Sequence, residues 1–411
     1  MKNMPTLLAP AGSMRPFMTA LRFGADAVYC GAKQYGLRAQ ANNFSEDELV
    51  KAVSLAHAAG AQVNLTLNIF AFDGDLPGMV RAAKMANETG VDAVIVSDLG
   101  AIAKIAREVP GLDIHVSTQA NTTNSESARV YQALGAKRIV LAREMTFDQI
   151  EAMARELGGE MELESFIHGA ICMSHSGRCM LSSFLNGRSA NRGACSQPCR
   201  WTYTLHERTR PDEAMPIEED ARGTAILSSR DMCMIDHLPR LMESGVSCFK
   251  IEGRMKTEIY IATVVGAYRR AMDAYAAGPA AYKQNEALRR QLRAELDKVS
   301  HRVYDTGFYF GQPQVCGEAV GVVQDAEYMG YVVDVSGGDA LVEMKNRFFV
   351  GDELETVTPK GSERLVVEDI VIDATGEHVG VVNVPGMLVR VPCGNRLEAG
   401  DMLRGPVRNR A

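Results

Sequence analysis

No stretch of this 411-residue chain comes near the run of about eighteen apolar residues that a membrane-spanning helix needs, so a helical membrane protein is not expected. The opening MKNMPTLLAPAGS lacks a basic region followed by a long apolar core, so it does not read as a secretory leader. No G-x-G-x-x-G follows the first strand-like run, which argues against a dinucleotide-binding open sheet. Neither G-x-S-x-G nor H-E-x-x-H occurs, and with them two common hydrolase designs are missing. Low-complexity segments and coiled-coil repeats are absent as well. The cytoplasm is then the expected compartment. There the nine cysteines are expected as thiols or metal ligands rather than disulfides.

The formal net charge of −7 argues against a protein that coats nucleic acid, but the charge is unevenly spread. Residues 316–411 hold 9 Lys+Arg against 16 Asp+Glu, so the tail carries the whole excess. Between Ala170 and Arg210 the sign reverses: Arg178, Arg188, Arg192, Arg200, Arg208 and Arg210 stand against a single acid, Glu207. Such a segment can meet phosphates or a small anion, or it can be a set of solvated arginines.

From Thr6 to about Gly278 one unit recurs: a short β-branched run, a turn, and a longer amphipathic segment. The runs are TLLAP, AVYCG, QVNLTLN, AVIVSD, DIHVST, RIVLAR, LESFIHG and CFKIEG. Between them lie segments such as EDELVKAVSLAHAAG, with apolar positions at helical spacing and a closing Gly. Strands alternating with helices pair in parallel through right-handed crossovers. Eight units in about 275 residues match an α/β fold of the (β/α)8, TIM-barrel-like kind, with an open doubly wound sheet as the alternative. With 46% hydrophobic residues the chain can bury a core of that size.

The seventh unit is irregular. About eighty residues separate LESFIHG from CFKIEG, far more than a βα connection needs. A long insertion at the C-terminal end of a barrel strand lies where barrels keep their chemistry. It holds WTYTLHE and TAILSS, which could pair as a hairpin, and four cysteines spaced C-x6-C-x15-C-x3-C: Cys172, Cys179, Cys195 and Cys199. Four thiolates on Gly-rich backbone suit zinc or an iron–sulfur cluster. Zinc sites favour two tight pairs, and only the second pair here is tight, so spacing leans toward iron–sulfur with zinc as the alternative. Cys30, Cys233, Cys248, Cys316 and Cys393 stand in apolar or strand-like contexts and are assigned to packing. The expected organisation is a barrel over residues 1–280 with the cysteine insertion at about 168–228, a helical connector over 281–315, and a small all-β barrel domain over 316–411.

The stretch ESFIHGAICMSHSGRCMLS, Glu164 to Ser182, resembles the signature of peptidase family U32, the collagenase-like proteins. LLAPAGS, GADAVYCG, FKIEGRMKTEIY and YDTGFYFG are similar to that family too. The resemblance implies oxygen-independent hydroxylation chemistry with a [4Fe–4S] cluster. In the branch most similar in length, the implied substrate is tRNA, hydroxylated at the wobble uridine to 5-hydroxyuridine with prephenate as co-substrate. It also implies the iron–sulfur assembly machinery as a partner, no membrane, and leaves open a homo-oligomer or a hetero-oligomer with a family paralogue. The implied cluster ligands are Cys172, Cys179, Cys195 and Cys199, with Cys233 in SSRDMCMIDHLP as the fallback for the fourth.

A peptidase would need an activated nucleophile or a metal-bound water. His168 and His175 flank Cys172, so a Cys–His pair stays open, although a thiolate bound to iron is not free to attack a peptide. His168 is read as a proton donor or as a hydrogen-bonded rim histidine. Polar residues at strand ends, Asn68, Asp98, Gln119, Arg143, Lys250, Glu252 and Arg254, are candidates for a substrate cavity or for salt bridges that close the rim. Arg143 and Arg254 could hold a dicarboxylate by bidentate contacts. Glu164 is expected to pair with a neighbouring cation or donor inside the barrel. The alternatives of a different class are a U32-type peptidase and a non-catalytic RNA- or protein-binding module.

Overall fold

The computed structural model describes residues 4–38, 41–201, 219–220, 223–224, 229–313 and 323–408. Eight parallel strands close into a ring: β1 (Thr6–Pro10), β2 (Ala27–Gly31), β3 (Gln62–Leu67), β4 (Ala93–Val96), β5 (Asp113–Val116), β6 (Arg138–Val140), β7 (Glu162–Ala170) and β9 (Cys248–Ile251). The ring shuts because β9 pairs with both β1 (Lys250 opposite Leu8) and β7 (Cys248 opposite Glu164). Each of the eight strand-like runs in the sequence supplies one of these strands.

Alternation along the strands divides the side chains. On β2, Val28 and Cys30 join the main core against the surrounding helices, while Ala27 and Tyr29 join Leu8, Ile95 and Cys248 in a smaller cluster. Helices begin where the local chemistry supports a start. A capping box of Ser45 with Glu48 opens α2 (Glu46–Ala58), and one of Thr146 with Gln149 opens α6 (Phe147–Leu157).

β7 is nine residues long and overshoots the barrel rim. Its last residues pair antiparallel with a short extra strand, β8 (Asp231–Cys233), through Met232 opposite Gly169 and Cys233 opposite His168. The cysteine insertion therefore leaves from the end of β7 and returns alongside it. The hairpin expected between WTYTLHE and TAILSS lies outside the described residues, apart from a two-residue ladder of Glu219–Asp220 with Gly223–Thr224. Cys316 lies outside them too.

After the long helix α9 (Glu258–Ala277) and the helix α11 (Glu286–Asp297), the chain forms an all-β unit on a seven-stranded antiparallel sheet. It has its own core, with Met329, Val342, Leu354 and Val391 fully or almost fully buried. Arg404, which is 1% exposed, ties it to the barrel half through Glu295 on α11 at 2.7 Å and to its own Glu355 at 2.7 Å. No helix among the described residues is long and apolar enough to cross a membrane.

Candidate active site

The C-terminal mouth of the barrel opens into a cavity of about 990 Å³, counting the part open to solvent. One side of it is cationic. Arg38, Arg143, Lys250 and Arg254 line the wall, with Glu252 the carboxylate that lines it beside them. Glu252 lies 3.4 Å from Arg38 Nη2 and 3.4 Å from Arg143 Nη2. Burial alone would raise its carboxyl, but Arg38 and Arg143 more than offset this and hold it below the usual range. Arg143 also lies over the Phe166 ring at 4.0 Å.

Arg254 is buried and fixed by two neutral acceptors, Thr66 Oγ1 at 3.1 Å and Asn43 Oδ1. Neither cancels its charge. The Nε atoms of Arg143 and Arg254 and the Oε1 of Gln119 are buried without a hydrogen-bond partner among the described residues. Three arginines against one carboxylate, with spare donors, make a wall suited to a small anion bearing more than one carboxylate.

Beneath this wall the barrel interior is charged and closed. Glu164, fully buried, lies 2.7 Å from Lys250 Nζ and 3.3 Å from Arg138 Nη1. Burial works to raise its carboxyl, yet Lys250 and Arg138 bring it down to about 2. Burial and the nearby Arg138 hold His115 down at about 3, which leaves it neutral.

The other side of the cavity is sulfur. Cys172, Cys179, Cys195 and Cys199 all line it, and all are free thiols. Burial pushes the Cys199 thiol up and the nearby Cys172, Cys195 and Cys179 add to the shift, so the four lie within electrostatic reach of each other. No three His, Cys, Asp or Glu side chains among the described residues converge into a ligating set. The donors nonetheless fit a soft metal or cluster: four thiols face one cavity, and Gln197 N–H donates to Cys195 Sγ at 3.4 Å.

The insertion is braced within itself and fastened to the barrel at named points. Asn191 exchanges two hydrogen bonds of 3.1 Å with the backbone of Cys179. Arg192 makes a bidentate pair with Asp75, at 2.7 and 3.1 Å, and donates to Phe70 O at 2.9 Å. Glu144 accepts from Ser176 Oγ at 2.8 Å and from its backbone N–H. Ser176 stands in the left-handed region with φ 49°, so these contacts hold a strained turn next to the thiols.

The family model for peptidase family U32 matches residues 12–318, and that for the U32 C-terminal domain matches 324–404. The chain belongs to peptidase family U32. It is 34% identical over 406 residues to tRNA hydroxylation protein P1 of Bacillus subtilis, covering 97% of this chain and 94% of that one. It is 33% identical to tRNA hydroxylation protein P of Escherichia coli, covering 96% and 95%. A protein named collagenase from Porphyromonas gingivalis is 36% identical over 316 residues, covering 74% and 73%.

In this U32 member the cavity brings together Arg143, Lys250, Glu252, Arg254, Asn68, Gln119 and the four clustered cysteines. Other expected site residues lie elsewhere. Asp98 caps the N-terminus of α4 (Leu99–Glu108) by accepting from Ala101 N–H at 2.8 Å. His168, 1% exposed, is off the cavity wall among the rings of Tyr260, Tyr268 and Tyr304 at 5.3 to 6.1 Å. Burial holds its imidazole well below the usual value, and His301 adds to this. Glu164 is the paired core carboxylate described above, also off the wall. Cys233 is buried on β8 away from the other thiols, and burial pushes it up to about 11. The Cys–His arrangement does not form: Cys172 Sγ is 2.9 Å from Ser174 Oγ, and His175 is turned to Glu144 at 3.8 Å. Arg38, Asn43 and Thr66 were missed by the sequence reading, and only their nearness to the ends of β2 and β3 hints at them.

Proposed function

We propose that this protein is an RNA-modifying enzyme that hydroxylates the wobble uridine of tRNA to 5-hydroxyuridine without O₂, using a [4Fe–4S] cluster and prephenate. One observation carries the reading: four thiols and an arginine-lined wall share a single cavity at the barrel mouth. The names of the two near-full-length relatives, both tRNA hydroxylation proteins, support the RNA substrate.

Cys172, Cys179, Cys195 and Cys199 would hold the cluster, closing from their positions on the cavity wall; zinc is the alternative occupant. A bound cluster supplies one-electron or Lewis-acid chemistry at the mouth. The chain's own residues do the rest. Arg143 and Arg254 bind the carboxylates of the small anion; when the anion is absent Glu252 keeps Arg143 in place, and Thr66 and Asn43 keep Arg254. Phe166 and Tyr29 supply an apolar flank on the same wall. Lys250, held by Glu164 at 2.7 Å, lines the cavity as a hydrogen-bond donor to a bound anion. The iron–sulfur assembly machinery is the implied partner and the cytoplasm the implied compartment.

The test has two arms. Protein purified without oxygen should be brown and carry four irons; a colourless zinc protein would overturn the cluster. A deletion strain without a paralogue should lose 5-hydroxyuridine-derived wobble modification, and wild-type cells should lose it when prephenate supply is cut but keep it without oxygen. Unchanged tRNA in the deletion strain would remove the assignment. Peptide cleavage lost on cysteine replacement would instead favour the peptidase reading, which now rests on relatives' names such as collagenase.

A further inference from the structure

Among the described residues the most exposed large hydrophobic side chain is Phe184, at 81%, followed by Phe72 at 68%. Neither lines the cavity, but each belongs to a segment that does. Phe184 is on the short helix α7 (Leu181–Asn186), whose first residue, Leu181, lines the cavity. Phe72 follows β3 in the loop that begins with the cavity residue Asn68. Arg192 links the two: its guanidinium holds Asp75 and lies 4.9 Å from the Phe72 ring centre, and its turn, Ala190–Arg192, packs against α7. Met180 and Leu185 beside Phe184 are also exposed, at 57% and 50%.

An apolar patch of this kind needs an occupant, because a water-facing phenylalanine on a six-residue helix contributes nothing to the fold that a polar residue would not. Charge indicates which. From Ile171 to Trp201 there are four arginines and no acidic residue; Arg192 is taken by Asp75 and Arg178 by the Gln119 carbonyl, and Arg188 and Arg200 stand exposed. Exposed Arg188 comes two residues after α7. Aromatic faces set among arginines match single-stranded nucleic acid, in which bases stack on rings and phosphates meet guanidinium groups. A base that enters a deep cavity must leave its stack, and its neighbours then lie across the rim.

We propose that α7 and the Phe72 loop form a platform for the unpaired nucleotides that flank the target base, with Phe184 stacking on one of them and Arg188 meeting a phosphate. The proposal rests on the RNA-substrate reading above and assigns it a surface. The experiment measures binding of the full-length protein to an anticodon stem-loop and to a fully paired duplex of equal length, by fluorescence anisotropy across a salt series. Phe184→Ala should weaken stem-loop binding about tenfold and leave duplex binding unchanged, while Phe184→Trp should retain it. Arg188→Glu should reduce the salt slope by about one. Thermal melting of each variant should match the wild type, since neither side chain is in the core. Wild-type binding to the stem-loop with equal binding by Phe184→Ala overturns the platform alone. A wild type that binds neither RNA overturns the RNA reading and the platform with it. RNA affinity unchanged in Phe184→Ala, together with loss of self-association, would make the patch a protein contact and overturn the proposal.

Discussion

Gly31 has no side chain, and this is a condition for Arg254 to stand where it does. A Cβ there would come within 2.0 Å of Arg254 Nη2 and 2.9 Å of Asn43 Oδ1. Gly31→Ala should push the guanidinium off Thr66 and Asn43 and lower affinity for a dicarboxylate about ten- to a hundredfold, as losing a charge-assisted contact of about 1.5–3 kcal/mol does. Calorimetric titration with prephenate, alongside iron content, checks this; unchanged affinity would remove Arg254 from the anion site. Arg254→Lys should not restore binding, because an ammonium cannot span the same acceptors. At Glu164 the expected effect is on stability. Glu164→Gln leaves Lys250 buried without its paired carboxylate, while Arg138 keeps Glu162 at 2.7 Å, and should cost about 3–5 kcal/mol in denaturant unfolding. The sign of its pH dependence follows from the lowered carboxyl, about 2 when folded against an ordinary 4.5. The stabilisation is complete above 4.5 and is lost as pH falls toward 2, so wild-type and variant curves should converge over that window.

The insertion is held from within and from without: Asn191 fixes the backbone of Cys179 inside it, and Asp75 on the barrel side holds Arg192. Asp75 and Asn191 are expected to matter for metal retention although neither touches sulfur through its own side chain. Asn191→Ala frees the backbone of Cys179, and Asp75→Ala releases Arg192. Both should lower the iron retained after gel filtration, whereas Cys233→Ala should keep it. Iron lost from Cys233→Ala but kept in Cys199→Ala would exchange the fourth ligand. These anchors also mark the limit of what the sequence discloses. Each barrel strand is a compact run whose neighbours in sequence carry its signal, and the four cysteines cluster within one connection, so both were legible. Arg192 is different. It reads as one of a row of cations for a phosphate, yet its partner Asp75 is 117 residues away and only closure of the barrel brings them together. His168 reads as a rim residue because its strand ends nearby. The strand continues, β8 pairs with the extension, and the tyrosines of α9 and the connector enclose the ring. Arg38 and Asn43 belong to a connection whose periodicity says nothing about which side chains turn inward.

At the scale of the molecule, the all-β unit is held to the barrel by charge as well as by packing. Arg22 bonds Asp401 at 2.7 Å, Arg15 bonds Glu343 at 2.8 Å, and buried Arg404 bridges Glu295 and Glu355. Arg404→Ala would leave Glu295 without its main counter-charge, and should lower the melting temperature and speed proteolysis between the two units. A melting curve and cleavage pattern equal to the wild type would show that apolar packing alone sustains the junction. The closed floor of the barrel has a separate consequence. Leu8, Tyr29, Ile95 and Cys248 pack its interior and Glu164 is buried with Lys250 and Arg138, so among the described residues the cavity stands on a packed floor and opens at the barrel mouth. Whatever lies deepest must arrive first and depart last. On the function proposed above, an RNA seated across the rim would cover the mouth, and the expected order of addition is anion, then RNA. Steady-state kinetics should then show RNA in excess trapping the enzyme in an unproductive complex, an inhibition that saturating prephenate relieves.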